Sequence, residues 1–362
     1  MKKTQLPKLA HVEMLPGIIH PLLAWYRAQA DERALPWREA PVPYHVWLSE
    51  IMLQQTRASA AIPYYARFLA ALPDIAALAA ADDEQLMKLW QGLGYYSRAR
   101  NLKKAAEIIV AEYGGALPHD FNALLKLPGI GRYTGSAIGS IAFGLPLPAV
   151  DGNVLRVVSR LLMSAADVAS PATRSAIEQA LAPHYPSGKA AGELNQAFMD
   201  LGATICLPHG APHCARCPLE GLCLAHAEGR EQELPVKSAA KKRRIEKMTV
   251  LCLHQGNCLA IRKRPAKGLL AGLWELPHVS GHPTKKALLT YLGEQGLSAE
   301  RIERLPDARH IFSHIEWNMR GWAITLGDET SHVAEGNGAL VWASRQDLAE
   351  RYSIPSAFSY YL

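Results

Sequence analysis

The sequence has no hydrophobic run that approaches the roughly 18 residues of a membrane-spanning helix. Near its start, Lys2 and Lys3 resemble the basic end of a secretory signal, but Pro7, His11 and Glu13 interrupt the apolar stretch that would have to follow. Neither a membrane protein nor a secreted protein is therefore expected, and the sequence predicts a cytoplasmic protein.

Cysteine is also scarce, since the 362 residues include only six, of which four lie between Cys206 and Cys223. A chain of this length can bury a sizeable core and does not need disulfides for stability. In a reducing compartment, four cysteines so close together favour a metal site over a pair of disulfides. The other two, Cys252 and Cys258, are interpreted as buried or free thiols.

Charge is not strongly unbalanced in this chain. The formal net charge of +6 and the pI of about 8.9 permit an anionic partner without requiring one. Hydrophobic residues make up 49% and charged residues 20%, as in soluble globular proteins. A length of 362 residues suggests two or three domains.

Two regions of different composition divide the chain. Residues 1–228 are rich in Ala and Leu, with apolar residues at three- and four-residue spacing, and predict a helical domain. Residues 248–362 mix strand-like runs with a helical segment and predict a separate α+β domain. The polar stretch 229–247 predicts a linker. Its basic run, Lys241 to Arg244, suits either a solvated segment or a contact with a DNA backbone.

The segment LLKLPGIGRYTGSAIGSIAF, residues 124–143, combines a Pro-Gly-x-Gly turn with a following helix rich in small residues. Gly129 and Gly131 allow the backbone a positive φ and leave amides exposed where the second helix begins. Amides in that position can bind a phosphate oxygen. A bare helical turn is the simpler alternative, but so specific a motif favours a phosphate-binding helical hairpin.

Asp151 lies in the segment VDGNVLRV, 18 residues after Tyr133 of the hairpin motif. Taken alone, Asp followed by Gly and Asn is a common helix N-cap or turn. A carboxylate at this place can also stabilise positive charge on a sugar as a base departs, as in glycoside hydrolysis.

Glu50, in the segment SEIMLQQT, is a second candidate acid. A single Glu on an amphipathic helix is usually solvated, but Glu50 lies between Leu48 and Ile51, near the apolar side of a predicted helix. An unpaired carboxylate there is costly. Burial would raise its pKa until it holds a proton at neutral pH, as a general acid requires.

The clustered cysteines follow the spacing C-x7-C-x2-C-x5-C. They are Cys206, Cys214, Cys217 and Cys223. Four thiolates suit either a [4Fe–4S] cluster or a zinc ion. His209 and His213, between the first two cysteines, are either substitute ligands or surface residues.

Together these motifs resemble the endonuclease III-like superfamily of DNA glycosylases. In that superfamily an essential Asp follows the hairpin at the separation of Asp151, and four cysteines hold an iron–sulfur cluster. The first cysteine gap usually holds six residues, whereas here it holds seven, so the extra residue lies within 207–213. The resemblance implies a [4Fe–4S] cluster and a role for Asp151 in stabilising an oxocarbenium-like transition state.

The residue type at Tyr133 distinguishes between groups of glycosylases within the superfamily. Members that also cut the DNA strand carry a Lys at this position, which forms a Schiff base with the sugar. Tyr cannot form an imine, and many adenine glycosylases of the MutY family have Tyr here. The resemblance, which extends from about Trp25 to Phe358, therefore implies removal of adenine with weak or absent strand cleavage.

The C-terminal region resembles the MutT-like recognition domain of the same family. The matching segments are GLLAGLWELP and RHIFSHIEW. The clustered acids of a working Nudix hydrolase are not found in the sequence, so the domain is interpreted as a reader of 8-oxoguanine. Phe312, Ser313 and His314 form the loop that the resemblance assigns to the lesion.

The resemblance also implies roles for individual side chains. Glu50 protonates the adenine, Asp151 stabilises the sugar cation, and Tyr133 and Asn153 orient the two carboxylates. The residues implied to contact the DNA or the extruded adenine are Trp37, Arg38, Leu53, Gln54, Gln55, Thr56, Tyr95, Gly129, Gly131, Gln196, Phe312, Ser313 and His314. The implied partner is double-stranded DNA with an 8-oxoguanine·adenine or guanine·adenine mispair, bound by a monomer.

Three other functions stay open at the level of the sequence. An endonuclease III-like glycosylase for damaged pyrimidines would share the motifs, but not Tyr133 or the C-terminal domain. A non-catalytic DNA-binding protein with a structural zinc would explain the cysteines, but not Glu50 and Asp151 at the family's spacing. A nucleotide hydrolase would need an acid motif that is not found.

Overall fold

The computed structural model describes residues 6–29, 35–39, 41–239, 242–327 and 339–362. These residues form two compact units. The helical unit comprises the residues up to Ala80 together with Arg100–Ala239, and the sheet unit comprises Ala81–Ala99 together with the residues after Ala239. A mainly helical unit and a unit built on a mixed sheet confirm the fold class expected from the sequence.

Thirteen α-helices are described before residue 240, and several of them begin at a polar N-cap residue. They are α1 (Leu15–Ala28), α2 (Pro36–Glu39), α3 (Pro43–Leu53), α4 (Ala58–Ala71), α5 (Ile75–Ala80), α6 (Asp83–Trp90), α7 (Ser97–Glu112), α8 (Phe121–Leu124), α9 (Arg132–Ile141), α10 (Gly152–Leu161), α11 (Pro171–Leu181), α12 (Lys189–Thr204) and α13 (Leu224–Ala227). Asp120, Asp151 and Ser170 cap α8, α10 and α11 by accepting hydrogen bonds from first-turn amides. None of the helices described is long and apolar enough to cross a bilayer.

The main core of the helical unit lies between α1, α10 and α12. Leu15, Ile18 and Leu22 of α1 are buried in it together with Val158 of α10 and Phe198 of α12. Each such side chain stabilises the fold by roughly 1.5–3 kcal/mol. This packing fixes the start of α10, where Asp151 lies, relative to α12.

The sheet unit contains a seven-stranded mixed sheet, with one helix after its fourth strand and another after its seventh. Its elements are β1 (Arg244–Gln255), β2 (Cys258–Lys263), β3 (Trp274–Glu275), β4 (His278–Ser280), α14 (Lys285–Glu294), β5 (Ala299–Ile311), β6 (Ile315–Leu326), β7 (Leu340–Ala343) and α15 (Arg345–Glu350). The order is β3-β2-β1-β6-β5, with β4 also paired to β1 and β7 to β2. The long β1–β6 pair is parallel. One core contains Trp317 and Phe358, and a second contains Leu251, Ile324 and Leu288 of α14.

Helix α6 belongs to the sheet unit, although it comes early in the chain. Trp274 Nε1 donates a hydrogen bond to Glu84 Oε2 at 2.9 Å. Ser353 Oγ donates to the carbonyl oxygen of Met87 at 3.0 Å. The sequence put residues 81–99 in the helical domain of residues 1–228, whereas in the structure these residues pack with the sheet unit. An amphipathic pattern indicates which side of a helix is buried, but not which domain buries it.

Strand β1 begins inside the stretch 229–247 that was expected to be a linker. Arg244 through His254 pair with β6 in continuous parallel register. The polar sequence of this stretch hid the strand, because the first residues of β1 are mostly exposed. Lys241, the first residue of the basic run, lies outside the described residues.

Candidate active site

A cavity of about 250 Å³ in the helical unit is lined by residues of α2, α3, α9, α10 and α12. Nine residues singled out from the sequence line it, namely Trp37, Arg38, Glu50, Leu53, Thr56, Tyr133, Asp151, Asn153 and Gln196. The fold thus brings segments from very different parts of the chain to one polar pocket.

Glu50 lies on α3 with only 6% of its surface exposed. Tyr133 Oη of α9 donates a hydrogen bond to Glu50 Oε2 at 2.8 Å. Burial raises the pKa of Glu50 to about 7, the Tyr133 hydrogen bond opposes this rise, and the nearby Asp151 charge adds to it. A carboxyl group with such a pKa carries a proton over much of the neutral range.

Asp151 caps α10 and is fixed by two hydrogen bonds. Its Oδ1 accepts from the Val154 amide at 2.8 Å, and its Oδ2 accepts from Asn153 Nδ2 at 2.8 Å. Burial raises the pKa of Asp151, whereas these hydrogen bonds and the charge of Arg156 act in the opposite direction. Burial is the largest influence on the pKa of both carboxyls, but Asp151 accepts two hydrogen bonds and lies near the charge of Arg156, whereas Glu50 accepts one from Tyr133. These different surroundings favour the charged form more at Asp151 than at Glu50.

Arg156, which the sequence analysis missed, positions Asn153. Its Nη2 donates to Asn153 Oδ1 at 2.9 Å and to the Gly202 carbonyl at 2.7 Å. Its Nε donates to the carbonyl of Cys206 at 2.7 Å. A continuous set of hydrogen bonds therefore runs from Asp151 to the first clustered cysteine. The signal was present as a charged residue within the apolar run of α10.

The lining of the cavity also contains a partly buried ion pair. Arg38 Nη1 and Nη2 donate to the two carboxylate oxygens of Asp200 at 2.7 and 3.0 Å. Tyr26 Oη donates to Gln196 Oε1, so the Gln196 amide presents its NH₂ group as a donor. These contacts hold polar groups in fixed orientations beside Trp37, which packs edge-on against Tyr65.

The end of α3 carries the segment expected to enter the DNA stack. Gln55 adopts a left-handed backbone with φ of 62°, a conformation that is uncommon for a residue other than glycine. Gln54 Nε2 donates to Thr134 Oγ1 at 3.2 Å. Gln54 therefore links α3 to α9 next to the Glu50–Tyr133 contact, a role that the sequence analysis did not foresee.

The helical hairpin is formed by α8, the Gly129–Gly131 turn and α9. Gly129 has a φ of 81°, and a Cβ at this position would lie 2.9 Å from Asn101 Cβ. Both observations require glycine. Gly131 is the N-cap of α9, and no side chain caps the first turn. Amides at such a helix start can bind an anion.

The four clustered cysteines line a single small cavity after α12. Arg160, another buried arginine of α10, donates from Nη1 to Cys206 Sγ at 3.1 Å. Burial raises the pKa of Cys217 to about 11, and the Cys206 and Cys223 thiols raise it further because they lie nearby. Four thiols in one cavity with a cationic donor to sulfur fit a metal centre that requires thiolate ligands.

The histidine beside this cavity is not one of the two considered from the sequence. His226 lines it, as does Glu231, whose Oε1 lies 2.5 Å from His226 Nδ1. His209 and His213 do not line it. The His213 amide donates to the Ile205 carbonyl at 3.0 Å and closes the longer first gap into a loop, which leaves the four cysteines together.

Tyr95 and the loop of Phe312, Ser313 and His314 meet within the sheet unit. Tyr95 has a φ of 47° and is 47% exposed. Its hydroxyl lies 2.7 Å from Ser313 Oγ, within hydrogen-bond distance. Phe312 packs edge-on against Trp317 at 4.8 Å between ring centroids. These residues, distant in sequence, therefore share one surface because residues 81–99 belong to this unit.

Two known protein families match the chain, one in its N-terminal part and one in its C-terminal part. The model described as HhH-GPD superfamily base excision DNA repair protein matches residues 48–183. The NUDIX domain model matches residues 248–362.

Curated relatives match across nearly the whole chain. The adenine DNA glycosylase of Homo sapiens is 34% identical over 390 residues, which is 90% of this chain and 70% of the relative. That of Rattus norvegicus is 33% identical over 404 residues, 94% of this chain and 77% of the relative. One from Buchnera aphidicola is 33% identical, covering 89% of this chain and 90% of the relative.

Solved structures resemble the chain over its helical part. A thermostable thymine-DNA glycosylase matches with a TM-score of 0.52 and 27% identity, over 60% of this chain and 98% of the other. An endonuclease III in a non-covalent DNA complex matches with a TM-score of 0.50 and 24% identity, over 59% of this chain and 97% of the other, and supports the fold alone.

Proposed function

The chain belongs to the adenine DNA glycosylase family, and we propose that it hydrolyses the N-glycosidic bond of adenine mispaired with 8-oxoguanine or guanine in duplex DNA. It is a DNA glycosylase of the base excision repair class. The observation that carries the proposal is the pair of carboxyls, Glu50 and Asp151, held in one pocket with different hydrogen-bond environments.

Chemistry on a base requires the nucleotide to leave the duplex stack. The extruded adenine enters the cavity near Trp37, Leu53 and Gln196. The NH₂ group of Gln196 is free to donate to a ring nitrogen, because Tyr26 occupies its oxygen. Gln55 and Thr56, which follow α3, then support the disrupted stack.

Hydrolysis begins with transfer of the Glu50 proton to N7 of adenine, which makes the base a better leaving group. The bond between C1′ and N9 breaks, and its electron pair leaves with the adenine. The Asp151 carboxylate stabilises the positive charge that develops on the sugar. A water oxygen then bonds to C1′ and gives its proton to Glu50, which restores the starting state.

Tyr133 limits the enzyme to hydrolysis. A strand-cleaving relative needs an amine that forms an imine with C1′, whereas Tyr133 has a phenol that donates to Glu50. Burial raises the pKa of Tyr133 well above its usual value, so its proton stays available for this hydrogen bond. Lyase activity is therefore weak or absent in the proposed function.

We also propose that Cys206, Cys214, Cys217 and Cys223 bind a [4Fe–4S] cluster. The four thiols, the shared cavity and the Arg160 donor support a metal centre, and the family resemblance favours iron–sulfur over zinc. When bound, the cluster holds the loop after α12 in place. Arg156 and Arg160 then join this loop to α10 and its catalytic N-cap.

The proposed substrate is tested by base release from duplexes that carry 8-oxoguanine·adenine, guanine·adenine or an oxidised pyrimidine. We expect adenine release from the first two duplexes, fastest from the first. Release of the oxidised pyrimidine without release of adenine would instead assign the chain to pyrimidine repair.

The sheet unit supplies the preference for 8-oxoguanine in this proposal. Ser313→Ala combined with His314→Ala is expected to abolish the faster reaction at 8-oxoguanine·adenine relative to guanine·adenine, because both polar groups of the loop are lost. Single-turnover rates on the two duplexes measure the ratio. Ser359→Ala, which removes an exposed hydroxyl bonded to the Ser356 carbonyl, is the matched control. A wild-type ratio in the double variant would contradict the reader role.

The pKa of Glu50 predicts the direction of the pH dependence. Glu50 must be protonated before base release, and its pKa is about 7. The single-turnover rate should therefore be highest below pH 7 and fall by roughly tenfold for each pH unit well above it. Binding of the duplex, measured over the same pH range, serves as the control. A rate that rises through pH 7 would mean that Glu50 acts first as a base.

A further inference from the structure

Arg174 lies on α11, outside the set of residues that the cavity brings together. Its Nη1 donates to the carbonyl oxygen of Val150, the residue before Asp151. In the described part of the chain, no acidic side chain forms an ion pair with Arg174. The side chain is half-buried, and most of its five N–H donors are left for another acceptor.

The charge of Arg174 acts on Tyr133, where it opposes the rise in the pKa of the phenol. The bond to Val150 also places the guanidinium beside the residue that precedes Asp151. A cation here would disfavour the positive charge that forms on the sugar during base release. Its presence is therefore best explained by an anion that neutralises it once the substrate is bound.

The face of α11 that carries Arg174 also reaches the helical hairpin. Glu178, one turn further along α11, accepts hydrogen bonds from Arg132, the first residue of α9. This face thus extends from the uncapped start of α9 to the residue before Asp151. The backbone of an extruded nucleotide must cover the same span if the hairpin binds a phosphate and Asp151 faces the sugar.

We propose that Arg174 binds a DNA backbone phosphate next to the extruded nucleotide, a proposal that rests on the function proposed above. A guanidinium suits this ligand because it can offer two parallel N–H donors to phosphate oxygens. The bond from Arg174 to Val150 holds the guanidinium in place before DNA arrives, and couples phosphate binding to the backbone that carries Asp151.

The salt dependence of DNA binding tests this proposal. Each phosphate that a cation neutralises adds about 0.9 to the slope of log Kd against log salt concentration. Arg174→Gln should lower the slope by about this amount and weaken binding roughly five- to tenfold at about 0.1 M salt. The probe is a duplex with 8-oxoguanine opposite 2′-fluoroadenosine, whose fluorine disfavours the sugar cation and preserves the base.

Two further variants make the result decisive. Arg174→Lys keeps the charge and should restore the slope. Arg27→Gln removes the same charge from a residue already bonded to Glu193 at 2.6 Å and should leave the slope unchanged. An unchanged slope in Arg174→Gln, or a reduced slope that Arg174→Lys does not restore, would overturn the phosphate assignment and leave only support of Val150.

Different experiments would refute the role of Arg174 and the proposed function. A wild-type chain that binds the probe but releases no adenine from the matching unmodified duplex would refute the function. The slope comparison still decides the role of Arg174 in that case, because it requires only binding.

Discussion

Glu50→Gln is expected to bind mispaired DNA yet release adenine about 10²- to 10⁴-fold more slowly than the wild type. The amide keeps the size of the side chain and can still accept the Tyr133 hydrogen bond, but it cannot donate an acidic proton to N7. Single-turnover release from an 8-oxoguanine·adenine duplex measures the rate, and titration with the same duplex measures binding.

The matched control for this variant is Glu107→Gln, which makes the same chemical change at an exposed position of α7. Its rate should equal that of the wild type. A Glu50→Gln rate within a few-fold of the wild type would remove Glu50 from the mechanism.

Glu50→Gln should slow base release but raise the stability of the fold at high pH. The pKa of Glu50 is about 7 in the folded chain, against an ordinary value of 4.5 for a glutamate, so the folded state holds the proton more tightly than the unfolded state. The resulting stability is fully present below pH 4.5 and is lost as the pH rises through 7. Glu50→Gln removes this loss, and its free energy of unfolding above pH 7 should exceed that of the wild type by up to about 3 kcal/mol.

Asp151→Asn is the second change with a large expected effect, at least about 10²-fold on base release. The variant loses the negative charge that faces the developing sugar cation. Asn remains a good N-cap, so α10 and the binding of DNA should be preserved. Chemical quench under single-turnover conditions measures the rate, and thermal unfolding reports the state of the fold.

Asp120→Asn is a close control for Asp151→Asn. Asp120 caps α8 as Asp151 caps α10, since Oδ1 of each accepts from the amide three residues later at 2.8 Å. Asp120 is exposed and does not line the cavity. Equal loss of activity in both variants would attribute the effect to capping and not to the charge beside the sugar.

Much of the candidate site could be predicted because its residues lie in short segments with their own local signals. The hairpin motif, the N-cap segment around Asp151 and the spaced cysteines are each readable within about twenty residues of sequence. Glu50 could be found for a physical reason, since an acid on the apolar side of a helix requires an explanation.

Residues that act through long-range contacts could not be found in this way. Arg156 and Arg160 contact Asn153 and Cys206 only after α10 packs against α12. The sequence around Gln54 resembles a DNA-contacting segment. In the structure, however, the side-chain amide of Gln54 donates a hydrogen bond to Thr134 of α9. The periodicity of a sequence does not indicate which distant residue a polar side chain will contact.

The assignment of residues 81–99 to the sheet unit has a consequence for how this chain can be divided or damaged. A fragment that stops at Ala239 would keep α6 but lose Trp274 and Ser353, which bond to it. A fragment that starts afterwards would lack α6 itself. Dividing the chain at a single junction near residue 240 would therefore separate α6 from both of these bonding partners. A premature stop codon in the last third of the gene would therefore remove the bonding partners of residues encoded in its first third.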